Sequence, residues 1–549
     1  MENRVLNQPM DWIKGNLCGS TKLSEGRIKP FSRRFAAFFL AVIATFWATL
    51  PTPTAQAQTQ APPLPAETQS IQPYLDRVAD AVTEFTLDNG MKFIVLERHQ
   101  APVVSFMIYA NVGAVNEADG KTGVAHYLEH LAFKGTSQIG TTNYAAEKAL
   151  FDKMDATFAQ LKDAEKAGDE AAVARLQADL EALQQEAAAY VEQNKYGQII
   201  EQSGGVGLNA TTSADATRYF YSLPSNKLEL WMSLESERFL DPVFREFFEE
   251  KQVILEERRM RVDNSPIGKM VEEFLQASFD SHPYRRPIIG YQADLFNATR
   301  QDIRTFYDTY YGPGNLTAVV VGDVDPAEVQ DMAQTYFGRY VPRQDPPALK
   351  IDEPPQTEPR EFVLELDSEP WYLEGYHRPG LNHPDHVVYG MIDSLLTAGR
   401  TSRLYKTLVN DAQVALDIGS LNGFPGDKYE NIFLLYGLTA PGNMPDDIAV
   451  LFAQELQRLK QEPVSQAELD QVKTQARAGL LRSLDSNSGM AALLAEYEAK
   501  TGSWRNVFED LKAIDAVTAE DVQRVAQELF REANRTVGKM VPLSTSRGT

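Results

Sequence analysis

The stretch Gly123-Val124-Ala125-His126-Tyr127-Leu128-Glu129-His130-Leu131-Ala132-Phe133-Lys134-Gly135-Thr136 organises the reading of this chain. It holds His-x-x-Glu-His, with the two histidines four residues apart. On an α-helix that spacing stacks both imidazoles on one face, one turn apart, near enough to share a metal ion. Glu129 follows His126 by three residues and adjoins His130, at the edge of the same face. Three nitrogen or oxygen ligands plus one water make a catalytic zinc site, and a carboxylate beside that water can take its proton. The flanking Val124, Ala125, Leu128, Leu131 and Phe133 predict a buried helix. A buried His-Glu-His cluster is costly unless a metal or hydrogen-bond partners satisfy it.

Upstream, residues 1–34 are basic and irregular, Phe35 to Leu50 is an apolar run, and Ala55-Gln56-Ala57 has the form of a cleavage site. Together they predict an export signal over 1–57, its apolar run being shorter than the ~20 residues a membrane span needs. The leader holds the sole cysteine, Cys18, so the mature chain would have no disulfide, thiolate metal site or cysteine nucleophile. It also carries seven Lys/Arg and three Asp/Glu; its removal leaves 46 basic against 73 acidic residues, a formal charge of −27 instead of −23. Such acidity excludes a nucleic-acid binder and fits an exported protein, periplasmic or secreted, with no stable membrane span after leader cleavage. Residues 58–75, rich in Gln, Pro and Ala, form a flexible spacer.

Between the spacer and the histidine motif, Val82 to Leu96 predicts a β-hairpin turning at Asp88-Asn89-Gly90. Val103 to Val112 predicts a further strand whose edge an extended peptide could join. Downstream, residues 145–195 predict an antiparallel helical hairpin. Its apolar seam is Phe151, Met154, Phe158 and Leu161, then Val173, Leu176, Leu180, Leu183, Ala187 and Tyr190. The glycine-rich run Gly204 to Thr212 follows, where Asn209 closes a turn on spacing alone, or bonds a substrate main chain. An acidic helix then spans Phe244 to Arg259. A site with two histidines wants a third protein ligand, and a glutamate from a second helix is a usual one. Glu257 shares a face with Val253 and Ile254, read as a buried stripe, and Glu250 lies two turns behind it.

Taken together, Gly123-x-x-His126-x-x-Glu129-His130, Asn209-Ala210-x-Thr212, Glu250-x-x-Val253-Ile254-x-x-Glu257, His282-Pro283-Tyr284 and Gly290 resemble the pitrilysin/insulinase family of zinc peptidases, the inverzincins, most closely the processing-peptidase-like branch. The resemblance implies Zn²⁺ held by His126, His130 and Glu257, with Glu129 as general base and Glu250 in support. It also implies Asn209 and Ala210 as contacts to the peptide backbone, and a peptide or unfolded polypeptide as substrate. The His130-to-Glu257 gap exceeds the family's usual spacing by roughly the length of the helical hairpin. An insertion that leaves the core as one arm is tolerated, because loop closure costs grow slowly with length.

The second half repeats the first. Thr299 to Asn315 and the strand after it match Thr518 to Asn534 with identical spacing, a threonine capping each helix. A proline-rich linker, residues 341–360, separates them. The expected architecture is α+β. Two similar halves, each a mainly antiparallel sheet with helices packed on it, form a clamp, with a zinc half over 76–340 and a metal-free half over 361–545. His377, His383 and His386 have no ligand spacing and read as surface histidines. In the resembling family the metal-free side supplies an arginine and a tyrosine that hold the scissile carbonyl. The strand Asn431 to Gly437 has no arginine and offers only Tyr436. The resemblance therefore implies a homo- or hetero-oligomer with a sister subunit; a peptide-binding or scaffolding member of the same family is the alternative.

Overall fold

The computed structural model describes residues 72–543, with side chains from residue 76. The expected signal peptide, Cys18 and most of the spacer lie outside the described residues. The first sheet contains β1 (Val82–Thr86), β2 (Lys92–Glu97), β3 (Val103–Ala110), β4 (Val206–Thr212), β5 (Thr217–Pro224) and β6 (Leu316–Gly322). Its order is β1-β2-β6-β3-β5-β4, antiparallel throughout except for the β2–β6 pair. The second sheet contains β7 (Arg360–Leu366), β8 (Trp371–Arg378), β9 (Ala415–Phe424), β10 (Asn431–Thr439) and β11 (Arg535–Pro542). Its order is β7-β11-β8-β10-β9, and only β7 and β11 run parallel.

The β1–β2 hairpin forms as its alternation predicts, with Phe85 opposite Phe93 and their rings stacked at 5.2 Å. The strand after it does not offer a free edge. β6, arriving from more than 200 residues downstream, pairs with β3 on one side and β5 pairs on the other, so β3 is central. The edge strands are β1 and β4, and at β4 the residues Val206–Thr212 form an extended strand rather than the turn expected at Asn209. The side chain of Asn209 is exposed there and Ala210 is buried.

β3 is buried on both faces, and the two faces belong to different cores. Val104, Phe106 and Ile108 pack under the helices of the first half. Met107 and Tyr109 pack against Met490, Leu494 and Phe508, from helices that follow β10, and against Trp504 in the turn between two of them. Reciprocally, the helix Pro266–Ser278 lays Met270 and Phe274 on Leu373, Ile432 and Met540 of the second sheet. Each half thus covers the outer sheet face of the other. At ~1.5–3 kcal/mol per fully buried large apolar side chain, this exchange welds the halves through their cores. Residues 341–359 form no helix or strand, yet Glu353 in this segment accepts the backbone N–H groups of Asp280, Ser281 and His282 at 2.7–2.8 Å.

The helical hairpin is Tyr144–Ala167 and Glu170–Ala188, turning at Gly168. Phe151, Met154, Phe158, Leu161, Leu176, Leu180 and Ala187 of its seam are buried, while Val173, Leu183 and Tyr190 are half-buried. Its foot is held by Arg245, 1% exposed, which pairs with Glu147, 0% exposed, at 2.9 Å.

The repeat extends to the hydrogen bonds. Thr299 and Asp302 form a capping box on Arg300–Tyr310, and Thr518 and Asp521 form the same box on Ala519–Leu529. After each helix an asparagine amide, Asn315 or Asn534, donates to the carbonyl five residues back, Tyr310 or Leu529.

Candidate metal centre

The helix Val124–Leu131 starts at Gly123, in the left-handed region with φ 84°. A Cβ there would lie 2.6 Å from the Ile289 carbonyl, and Gly290, also at positive φ, leaves only 2.6 Å to the Gly123 Cα. Two glycines therefore let two backbones cross just where the helix begins. The helix's free N–H groups are taken by Glu117, whose carboxylate accepts from Gly123 at 2.9 Å and Ala125 at 2.8 Å. Burial pushes Glu117 up to about 8, against the pull of those two N–H groups and the nearby Arg286 charge. The far side of the helix is fixed by Tyr127, stacked on Phe247 with centroids 4.9 Å apart and donating to the Phe247 carbonyl.

That contact brings the acidic helix, Phe247–Arg258, across the first. Glu257 Oε2 lies 3.8 Å from His126 Nε2 and 3.6 Å from His130 Nε2. The ligand atoms of the three residues all fall within 4.8 Å of one another. A tetrahedral zinc with bonds of ~2.0–2.1 Å sets its ligand atoms ~3.4 Å apart, so this donor set fits that ion. Of the stripe expected beside Glu257, Ile254 is buried and Val253 is 49% exposed; the acidic helix buries Phe247, Phe248, Lys251 and Arg258 besides.

The electrostatics agree with a cation site. Burial and the charges of His130 and Arg261 hold His126 down at about 3, leaving the neutral imidazole that metals bind, and its Nδ1 has no hydrogen-bond partner. Burial lowers His130 as well, but the Glu250 hydrogen bond and the charges of Glu129, Glu257 and Glu250 outweigh it and raise the imidazole overall. Three carboxylates around one imidazole thus favour positive charge, as a divalent ion would supply.

Glu129 is raised, mainly by burial, and its Oε2 accepts from Thr212 Oγ1 on β4 at 2.6 Å. Glu250 does not reach the ligand atoms: its Oε2 lies 3.1 Å from His130 Nδ1, and its Oε1 lies 2.5 Å from Lys134. Burial raises Glu250, and the bonds from His130 and Lys134 override that and hold it below its ordinary value. Lys134 also reaches Glu246 at 3.0 Å, and Arg261 holds Glu257 Oε1 at 2.7 Å. Asn209 and Ala210 lie on the same edge strand as Thr212.

Sequence reasoning missed Glu117, Lys134 and Arg261. Lys134 stands four residues after His130 and Arg261 four after Glu257, spacings that signal a shared helical face. Nothing local signals Glu117, which reaches back from a non-helical turn. Two of the three second-half histidines are not surface residues, whereas His383 keeps its side chain 39% exposed, as expected. His377 bonds the Ser278 carbonyl at 2.7 Å with its side chain 8% exposed, and His386 lies 2.7 Å from Asp510. Tyr436 is half-buried, its hydroxyl crowded against Gly419.

Comparison with known proteins agrees with this arrangement. Residues 92–159 and 180–291 match the profile described as insulinase (peptidase family M16), and the unmatched gap falls inside the helical hairpin. Residues 297–476 match the profile described as the peptidase M16 inactive domain. The zinc protease PqqE of Helicobacter pylori is 30% identical over 469 residues, spanning 83% of this chain and 92% of that protein. A crystal structure of a protease from Helicobacter pylori superposes with a TM-score of 0.71 at 27% identity, covering 84% of this chain and 99% of the other. The periplasmic protease PqqL of Escherichia coli shares the fold with a TM-score of 0.63 at 19% identity, covering 84% of this chain but only 48% of that one. With the paired sheets, the crossing helices and a relative at this identity, the chain belongs to the insulinase (M16) peptidase family.

Proposed function

We propose that the protein is an exported zinc metalloendopeptidase that hydrolyses peptides or unfolded segments, with His126, His130 and Glu257 as metal ligands and Glu129 as general base. The observation that carries this reading is the convergence of His126 Nε2, His130 Nε2 and Glu257 Oε2, with Glu129 alongside. Zinc held by His126, His130 and Glu257 would supply a Lewis acid for the scissile carbonyl and lower the pKa of water to ~7. Glu129, steered by Thr212, takes the proton of the attacking water and delivers it to the leaving amine. Its raised proton affinity suits a group that must hold that proton between the two steps. Glu250 fixes the tautomer and ring orientation of His130 by accepting from its Nδ1–H, and Arg261 occupies the outer oxygen of Glu257.

Substrate selection follows from the edge of β4. An extended peptide pairing there as a further strand passes Asn209 and arrives beside Thr212 and Glu129, which admits unfolded chains and rejects folded ones. The side chains of β10 provide no arginine, so the group that holds the scissile carbonyl comes from a sister subunit. The PqqL match over only 48% of its length supports a working unit of about two such chains. The periplasm is the proposed location, supported by the sequence of the leader. Among the described residues no helix is long and apolar enough to cross a membrane.

The test is metal content and peptide cleavage, measured on the chain alone and with its candidate partner, for the wild type and Glu129→Gln. Cleavage lost in the variant with zinc retained supports the reading. Equal turnover by both proteins rejects it.

A further inference from the structure

We propose that Asp215 is a positioning residue for the peptidase reaction: through it, the turn between β9 and β10 of the metal-free half holds Thr212 against Glu129. The inference rests on the peptidase reading and gives the metal-free half a part in it. β4 is an edge strand, hydrogen-bonded in the sheet only to β5. Thr212, its last residue, donates to Glu129 Oε2 at 2.6 Å, and the turn 213–216 follows at once. Whatever fixes that turn therefore fixes the hydroxyl beside the general base.

Both halves contribute to fixing it. From the first half, the Ala114 N–H donates to the Ser213 carbonyl at 3.1 Å and the Val115 N–H to the Ala214 carbonyl at 2.9 Å. A Cβ on Gly113 would lie 2.5 Å from both carbonyl oxygens, so the two backbones meet with no side chain between them. From the second half come the N–H groups of Asp427 and Lys428. The carboxyl of Asp215, 3% exposed, accepts them at 3.0 and 3.2 Å with Oδ2, and accepts the Tyr284 hydroxyl with Oδ1. Gly426 completes the seat: a Cβ there would lie 2.5 Å from Asp215 Oδ2 and 2.7 Å from the Tyr284 hydroxyl.

The second-half turn is itself anchored. Lys500, on the helix Asn487–Thr501, holds Asp427 Oδ1 at 2.5 Å, and the Leu381 N–H donates to the Asp427 carbonyl at 2.7 Å. Lys428 Nζ donates to Asn111 Oδ1 at 2.5 Å, just past the end of β3. A buried carboxyl that accepts three hydrogen bonds is costly to remove, because its donors are left without partners. None of those donors belongs to a metal ligand or to Glu129. The direct route from Asp215 to the reaction is along the backbone to Thr212, three residues away, and across its hydroxyl to the general base.

The test is a double-mutant cycle on the zinc-loaded, full-length protein with its candidate partner. Asp215→Ala and Thr212→Val should each lower kcat for peptide cleavage about tenfold, with KM within about twofold. The double variant should be no slower than Thr212→Val alone, because both changes remove the same support from Glu129. Asp215→Ala should nevertheless lower the melting temperature equally in both backgrounds, so the lost rate is separated from lost stability. Asp215→Asn, which keeps an acceptor oxygen, should recover most of the rate. Gly426→Ala alters only the metal-free half and is the milder variant should Asp215→Ala fail to fold; it should show the same non-additivity with Thr212→Val. Losses in kcat that multiply in the double variants, or an unchanged kcat in Asp215→Ala and Gly426→Ala, overturn the positioning role and leave the peptidase reading standing. Absence of cleavage by the zinc-loaded wild type overturns the peptidase reading itself, and the positioning role with it.

Discussion

Removing β1 leaves the first sheet with the order β2-β6-β3-β5-β4, which is strand for strand the order β7-β11-β8-β10-β9 of the second. In both halves the helix that follows the central antiparallel strand packs on the last strand of the sheet: Val124–Leu131 on β4, and His386–Thr397 on β9. In both, a hydroxyl on that last strand bonds a carboxylate on the helix, Thr212 to Glu129 and Ser420 to Asp393. The halves part company in what surrounds the carboxylate. Beside Glu129 stand two imidazoles and a glutamate from a crossing helix. Beside Asp393 stands Arg378, whose guanidinium lies over the Tyr389 ring at 4.6 Å and bonds Asn422. The scaffold is common to both halves, and the proposed chemistry depends on a few side chains that only one of them has.

The largest expected effect separates those two carboxylates. Glu129→Gln should lower peptide cleavage by ~10²–10⁴-fold with zinc stoichiometry unchanged. Asp393→Asn, the matching change in the other half, should leave kcat within about twofold. Next comes the anchor that only the first half has. Arg245→Met leaves Glu147 buried and unpaired, and should lower the unfolding free energy by ~3–5 kcal/mol in urea titrations. Adding Glu147→Leu removes the orphaned charge and should recover a large part of that loss. A single variant as stable as the wild type would show that the hairpin foot is not held by this pair.

How much of this was legible in the sequence follows from how local each signal is. The spacing of His126, Glu129 and His130 is a property of one helical turn, and the capping boxes at Thr299 and Thr518 span four residues; both read directly. The β1–β2 hairpin is equally local. The centrality of β3 was not legible, because its neighbour β6 begins more than 200 residues downstream, and strand patterning carries no address for a partner that far away. β4 misread as a turn for a related reason. An edge strand paired on one side, with exposed Val206 and Asn209, has no buried face to impose an alternating pattern. Glu117 was invisible because it caps its helix from outside it.

A smaller effect probes the second half's carboxylate by pH. Burial pushes Asp393 up to about 6 from 3.8, against the Ser420 hydroxyl and the Arg378 charge, which pull it down. A folded pKa above the unfolded one means that the fold keeps this proton. The stabilisation is complete below pH 3.8 and is lost as pH rises through 6. Asp393→Asn cannot ionise, so it should match the wild type near pH 4 and exceed it by ~3 kcal/mol above pH 6. Thermal unfolding from pH 4 to 8 reads this directly, and parallel curves for the two proteins would place the cost elsewhere.

The finest test sets the two capping boxes against each other. Thr299→Ala and Thr518→Ala each remove a hydroxyl that accepts a backbone N–H at 3.1 Å, worth ~1 kcal/mol. If the repeat were only a repeat, the losses would be equal. Asp302, however, also reaches Lys121 at 3.0 Å, two residues before the glycine that starts the His126 helix. Its counterpart Asp521 reaches only Arg524, on its own helix, at 3.7 Å. Loosening the first cap frees Asp302 and with it the segment that feeds the metal centre, whereas loosening the second affects one helix end. Thr299→Ala should therefore weaken zinc binding by a few-fold, measured by competition with a chelator, and Thr518→Ala should not change it, although both lower the melting temperature. Equal zinc affinities in the two variants would show that Glu117, Gly290 and Tyr127 hold the ligand helix without help from Asp302.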